Sequence, residues 1–325
     1  MGARRKKVIK AHKPPLAAWK LAALGLAAAF CAAILAYGPA LTGPFVFDDT
    51  VQLYAKAADA AQPLLDWVNG ERPMLFFSFW LNHLILGNDP FGYHLVNVII
   101  HVLNAALVFL LIQKLLVFYR PGAEAGKLKL LAGFGAAVFL LHPIQTESVS
   151  YIASRSETLC AFFMLAALVL FLYSRPGPVT WPTALLIVLL CAAACATKEQ
   201  AVALAPILVL ADLYWETDFF MAGLRRNWRL YVPLGVAGAV AGAAIASVME
   251  HSQSVGFRLH DISSLDYFFT QCRVFFSYIR LLILPVGQTL SPDVPLSRNV
   301  FDHGSIFGLL GMLGLIAVAI YFRRR

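Results

Sequence analysis

Hydrophobic positions along this chain come in long unbroken blocks separated by short polar connections. The stretches 16–37, 94–118, 128–141, 159–173, 181–197, 200–215, 231–248 and 306–322 are built almost wholly from Ala, Leu, Val, Ile, Phe and Gly. A bilayer core takes about 20 mainly apolar residues per helical span. In lipid, only helices and closed barrels satisfy every backbone polar group. Barrel strands alternate in polarity and run to about ten residues, so continuous blocks of this kind predict helices. The pattern predicts an all-α polytopic membrane protein with eight spans, organised as a single transmembrane domain over 1–325.

Composition and charge sharpen this picture. Of 325 residues, 60% are hydrophobic and only 14% charged, against roughly a quarter charged in a soluble domain. The net charge of +8 does not point to nucleic acid, because the basic residues gather at alternate block ends. Arg4, Arg5, Lys6, Lys7, Lys10, Lys13, Lys20, Lys114, Arg120, Lys127, Lys129, Arg175, Arg225, Arg226, Arg229, Arg323, Arg324 and Arg325 make 18 of the 26. Cytoplasmic loops carry such an excess of Lys and Arg, which predicts a cytoplasmic basic head at 1–15 and both termini inside. The apolar stretch after the head is long enough to span, so a retained first helix is expected rather than a cleaved signal peptide. Of the 18 acids, only Glu124, Glu216, Asp218 and Asp212, the last near a helix end, fall on the inner side. The outer side then holds a long first loop, 38–93, and a last loop, 250–305. Within the latter, 267–284 is apolar but carries Arg273 and Arg280, and spanning there would put the terminal arginines outside. It reads as a re-entrant or surface helix at the outer face. Of the five cysteines, Cys31, Cys160, Cys191 and Cys195 lie within predicted spans and Cys272 in an apolar stretch, so no disulfide framework follows.

Candidate chemistry sits in the outer segments. Asp48 and Asp49 follow an aromatic run at a membrane edge. Such a carboxylate can act as a general base on a hydroxyl, while an acidic turn that caps the next helix has the same spelling. Arg72 precedes the amphipathic segment 74–86, which suits a helix lying in the interface. Glu147, Tyr151 and Arg155 recur at spacings of four, as on one helical face, and fit either a cavity wall or a structural ion pair. Lys198, between two spans, fits a phosphate contact or a side chain reaching to the surface. Arg273 and Arg280, seven apart, can grip phosphate bidentately or anchor to lipid headgroups. His94 and His101 share a face, but a metal site needs more ligands nearby, so no metal is assigned. No Walker loop, GxGxxG or HExxH occurs.

Several of these stretches together resemble a family. The order Phe47-Asp48-Asp49, Arg72-Pro73, Pro90-Phe91-Gly92-Tyr93-His94-Leu95-Val96-Asn97, then the run from His142-Pro143-Ile144-Gln145-Thr146-Glu147 to Arg155-Ser156-Glu157, Lys198-Glu199, and finally Thr270 to Leu282, is similar to the membrane O-mannosyltransferases that carry tetratricopeptide repeats. Bacterial members look most similar. The resemblance implies a GT-C-type helix bundle that takes a sugar, mannose or a similar hexose, from a polyprenyl-phosphate carrier. The sugar passes, with inversion, to a protein or glycan hydroxyl on the non-cytoplasmic face, in this case of a bacterial inner membrane. It implies Asp48 as base with Asp49 in support. Glu147, Arg155, Arg72 and His94 are implied around the substrate, and Lys198, Arg273 and Arg280 at the carrier phosphate. No cofactor is expected, with a divalent metal left open. A flippase of lipid-linked sugars and a non-catalytic membrane scaffold are the competing readings. The pattern departs from the family in one respect: no 34-residue helical repeat is visible, so the expectation is a truncated chain or a short member.

Overall fold

A computed structural model describes residues 16–55, 62–175, 177–215, 220–251, 263–290 and 292–323. The basic head 1–15, Lys56, Glu216, Asp218, Arg258, Arg324 and Arg325 lie outside the described residues. Within them the chain is helical, without strands. The helices are α1 (Leu16–Leu41), α2 (Leu64–Val68), α3 (Pro73–Leu86), α4 (Pro90–Tyr119), α5 (Ala125–Leu141), α6 (Thr146–Ser150), α7 (Arg155–Tyr173), α8 (Trp181–Cys195), α9 (Leu204–Trp215), α10 (Phe220–Arg226), α11 (Trp228–His251), α12 (Ser264–Ile283) and α13 (Ser305–Arg323). Proline opens α3 and α4, where its missing N–H costs nothing. Asp89 caps α4 by accepting the Phe91 N–H at 3.0 Å.

The chain is an all-α polytopic membrane protein. By length and composition, four helices can cross a bilayer: Trp19–Leu41, Pro90–Tyr119, Arg155–Tyr173 and Asp302–Phe322. A fifth span is available if Ala125–Leu141 and Pro143–Ser150, bent by 47°, count as one. This is fewer than the eight blocks suggest. Helix α8 has 15 residues and α9 only 12, about 22 and 18 Å at 1.5 Å per residue, short of the hydrocarbon thickness of about 30 Å. The block 200–215 is broken at its start, where Glu199–Ala203 forms a 3-10 turn. Lys198, Glu199 and Gln200 are held there by side chains from other elements.

Helix α4 is the centre of the bundle. It packs against α1, α5 and α7, and α8 bridges α7 to α11. Phe171, Ile187, Leu204, Leu208 and Leu230 form one core, while Ala33, Val98, Val102, Ala105 and Leu140 form another. Leu24, Leu35, Leu130, Phe134, Leu185 and Phe307 point outward and are exposed, as lipid-facing positions are. One stripe of α4 is polar and buried: His94, Asn97, His101 and Asn104. Its role follows from the end of α5. Pro143 has no N–H, and the Ile144 N–H turns to His142 Nδ1 at 3.2 Å, so the Leu140 carbonyl loses its helical donor. Tyr37 Oη and His101 Nε2 donate to it instead, at 2.9 and 3.0 Å. Asn104 likewise donates to Thr158 O at 2.8 Å. A buried carbonyl left bare would cost about 1–3 kcal/mol, so His101 of this stripe, with Tyr37 of α1, covers the carbonyl that the α5–α6 bend exposes.

Helices α12 and α13 pack mainly on each other. All of the stretch 267–284 but its last residue lies in one unbroken amphipathic helix, α12, started by a capping box between Ser263 and Asp266. Its last turn touches the α5–α6 bend, where His142 Nε2 donates to Leu282 O at 2.9 Å. The α12–α13 approach is set by glycine: a Cβ on Gly308 would sit 2.3 Å from Cys272 O, whereas one on Gly314 would meet nothing within 4 Å. Gly308→Ala should therefore destabilise the purified protein by about 1–3 kcal/mol, an overpacking cost, and Gly314→Ala should not. Thermal unfolding in detergent checks the contrast.

Candidate active site

The C-terminal ends of α1, α5 and α8 and the N-terminal ends of α4 and α7 lie at one end of the bundle, where hydrogen bonds tie their loops together. A cavity of about 290 Å³ opens there. Asp48, Gln52 and Tyr54 line it from the first loop, Arg72, Leu75, Phe76 and Phe79 from α3, and Glu147 and Tyr151 from α6 and its end. Ala153, Ser154, Ser156, Glu157 and Lys198 complete the wall.

The two adjacent acids have opposite surroundings. Phe47 opens the 3-10 turn Phe47–Val51 with φ of 48°, a left-handed conformation that costs a non-glycine residue about 1–2 kcal/mol. This twist leaves Asp48 exposed at the cavity and turns Asp49 inward, where it is 0% exposed. Asp49 accepts the Ala153 N–H at 2.8 Å, Tyr54 Oη at 2.9 Å and the Val46 N–H at 3.3 Å. Burial raises its carboxyl above the ordinary range, and these three donors work against that rise. Burial, followed by the Asp49 charge, also raises Tyr54, which keeps its proton and donates it.

Arg155 is wholly buried behind the cavity, not in its wall. Its guanidinium donates to Asn97 Oδ1 at 2.7 Å, Asn82 Oδ1 at 2.8 Å, Tyr93 O at 2.9 Å and Ser78 O at 3.3 Å. It stacks 4.3 Å from the centre of the Phe79 ring. The spacing of four that put Glu147, Tyr151 and Arg155 on one helical face does not hold in the structure. Helix α6 stops at Ser150 and α7 starts at Arg155, so Arg155 faces the interior while Glu147 and Tyr151 face the cavity.

The rim cations are each paired with a carboxylate. Lys198 pairs with Glu157, whose other oxygen accepts from Gln200 Nε2 at 2.7 Å. Arg72 forks onto Glu199 at 2.8 and 3.2 Å. Burial pushes Glu199 up, but its own N–H and Arg72 outweigh this and hold it below the usual range. Glu147 is raised, first by burial and then by the nearby Glu157 charge, with Lys198 opposing.

The structure thus gathers Asp48, Glu147, Arg72 and Lys198 around one space. It sets Asp49 and Arg155 behind that space. His94 is also behind it, with Nε2 3.3 Å from Gly43 O. Arg273 contacts Pro295 O and Arg280 contacts Val286 O; neither lines the cavity. Sequence reasoning gave no role to Glu157 or Gln52. Glu157 stands two residues after Arg155, and a buried arginine at the start of α7 is the signal that would have sent Glu157 to the opposite, wet side of that turn. Among the described residues, no group of three or more His, Cys, Asp or Glu converges to hold a metal ion.

The chain is similar to protein O-mannosyl-transferases. One from Caenorhabditis elegans is 30% identical over 198 residues, which is 55% of this chain and 26% of that protein. One from Drosophila melanogaster is 30% identical over 208 residues, 58% of this chain and 23% of that protein. A human one is 26% identical over 275 residues, 77% of this chain and 31% of that protein. The chain thus spans less than a third of the length of these relatives. No family model and no solved structure matches it.

The contrast between the two acids has a measurable consequence. Asp49→Asn sets an amide N–H₂ against donors that need an acceptor, so it should lower stability by about 1–3 kcal/mol. Asp48→Asn, at an exposed position, should change it by less than about 0.5 kcal/mol. Thermal unfolding of the two purified variants distinguishes them.

Proposed function

We propose that this chain is the membrane-embedded catalytic part of a glycosyltransferase. It moves a hexose, mannose by similarity to its relatives, from a polyprenyl-phosphate carrier to a hydroxyl of a protein acceptor on the non-cytoplasmic face. The observation that carries this reading is the convergence of Asp48 and Glu147 with Lys198 and Arg72 on one cavity. The basic residues at the opposite loop ends support this orientation.

In the proposed step, the Asp48 carboxylate takes the proton of the acceptor hydroxyl. The acceptor oxygen attacks the anomeric carbon from the face opposite the carrier, and the bond from that carbon to the phosphate oxygen breaks. The polyprenyl phosphate leaves with the electron pair, and the anomeric configuration inverts. Negative charge growing on the leaving phosphate calls for fixed cations. Lys198 and Arg72 border the same cavity as Asp48, while Arg273 and Arg280 do not, so this reading gives the phosphate to the first pair. Glu147, as carboxylate, accepts a hydroxyl of the sugar.

Asp48→Asn in folded, purified protein should lower turnover of carrier sugar at least about a hundredfold, the usual loss with a general base. Unchanged turnover would refute the assignment. Because Glu147 titrates above the ordinary range, KM for the carrier sugar should begin to rise, as pH falls, at a higher pH than a free glutamate would give. Glu157→Gln removes the like charge, which lowers the Glu147 value, so in that variant the rise should move to lower pH. KM measured across a pH series in both proteins tests the sign.

A further inference from the structure

Asp48 sits in a turn that opens on a strained residue. Phe47 holds a left-handed backbone with a side chain 69% exposed, so burial does not repay the strain. Local bonds from the Val46 N–H and Tyr54 Oη to Asp49 and from Thr50 Oγ1 to Phe47 O hold part of the turn, and two contacts reach it from one other segment of chain. On one side Ala153 N–H grips Asp49. On the other, Tyr151 Oη accepts the Asp48 N–H at 3.0 Å. The Tyr151 ring stands edge-on to Phe47, 6.4 Å between centres.

We propose that Tyr151 is a positioning residue for the Asp48 carboxylate, its phenol oxygen holding the aspartate by the backbone N–H so that the side chain stays turned to the cavity. The inference rests on the reading of Asp48 as the base. The phenol is itself rigidly placed. The Tyr151 N–H donates to Glu147 O at 3.0 Å, and its carbonyl accepts from Asn97 Nδ2 at 3.3 Å and from the Ser154 N–H at 3.2 Å. Asn97 spends its other end on Arg155 Nε at 2.7 Å. Hydrogen bonds therefore run from the buried guanidinium through Asn97 to the Tyr151 carbonyl, and from the Tyr151 phenol to the Asp48 backbone. Burial raises the Tyr151 hydroxyl above its ordinary value, so the phenol stays protonated at neutral pH. A reacting group displaced by about 1 Å can lose on the order of a hundredfold in rate, which is the scale on which such a clamp acts.

The test is a double-mutant cycle on purified full chain with polyprenyl-phosphate mannose and a hydroxyl-bearing peptide, read as kcat, KM and thermal midpoint. Tyr151→Phe keeps the ring against Phe47 and removes only the hydroxyl. It should lower kcat about tenfold or more, leaving KM and the thermal midpoint unchanged, and it should lose nothing further in an Asp48→Asn background. The inference is overturned if Tyr151→Phe keeps wild-type kcat while Asp48→Asn is inactive. It is equally overturned if the loss appears in KM, tracks the thermal midpoint, or recurs by the same factor without Asp48. Unchanged turnover in Asp48→Asn alone overturns instead the reading of Asp48 as base.

Discussion

A guanidinium with no access to water and, among the described residues, no carboxylate paired with it is the constraint around which this end of the molecule is built. Withdrawing an ion from water costs several kcal/mol unless its hydrogen bonds are replaced. Arg155 replaces them with four oxygens, all from α3 and α4, and with the faces of Phe79 and Tyr93. Only one mutual placement of α3, α4 and the start of α7 supplies all of these at once. That placement also brings Asn97 to the 151–152 backbone, and the Ala153 N–H to Asp49. The cavity wall is thus fixed from behind.

The arrangement divides labour between groups that the sequence presents as equals. Asp49 has its oxygens committed to three donors and holds the turn; Asp48, one residue earlier, stays at the cavity. The cations at the rim are occupied by Glu157 and Glu199. Partly exposed pairs of this kind contribute roughly 0–1 kcal/mol. In the proposed reaction the carrier phosphodiester, singly charged as it enters and doubly charged once the sugar has left, can therefore take Lys198 and Arg72 over from their carboxylates at small cost.

Much of the helix layout was legible from hydropathy alone. The block 94–118 became Pro90–Tyr119, 128–141 became Ala125–Leu141, and 306–322 became Ser305–Arg323, because a run of apolar residues in lipid has no other way to satisfy its backbone. What depended on tertiary contact was not legible. Helix α1 continues through Gly38 and Pro39 to Leu41, past the end of the apolar block at Tyr37. The interruption at Glu199–Ala203 reflects charges on α7 and at the start of α3 that meet Lys198 and Glu199 from far along the chain. Spacing could nominate Asp48, Glu147, Lys198 and Arg72, which share the cavity. It could not separate Asp48 from Asp49, nor send Arg155 to the interior. Arg273 and Arg280 share a helix face, as their spacing requires, but α12 carries them away from the cavity wall.

The central claim is that one cavity holds the base, the sugar and the carrier phosphate. It is tested most directly by an experimental structure of the chain in lipid nanodiscs with a non-hydrolysable polyprenyl-phosphonate sugar bound. The account predicts the phosphonate oxygens within hydrogen-bonding distance of Lys198 and Arg72, their pairs with Glu157 and Glu199 opened, and the anomeric carbon presented toward Asp48. A phosphonate seated instead on Arg273 and Arg280, with the sugar outside the cavity and both rim pairs intact, would contradict it.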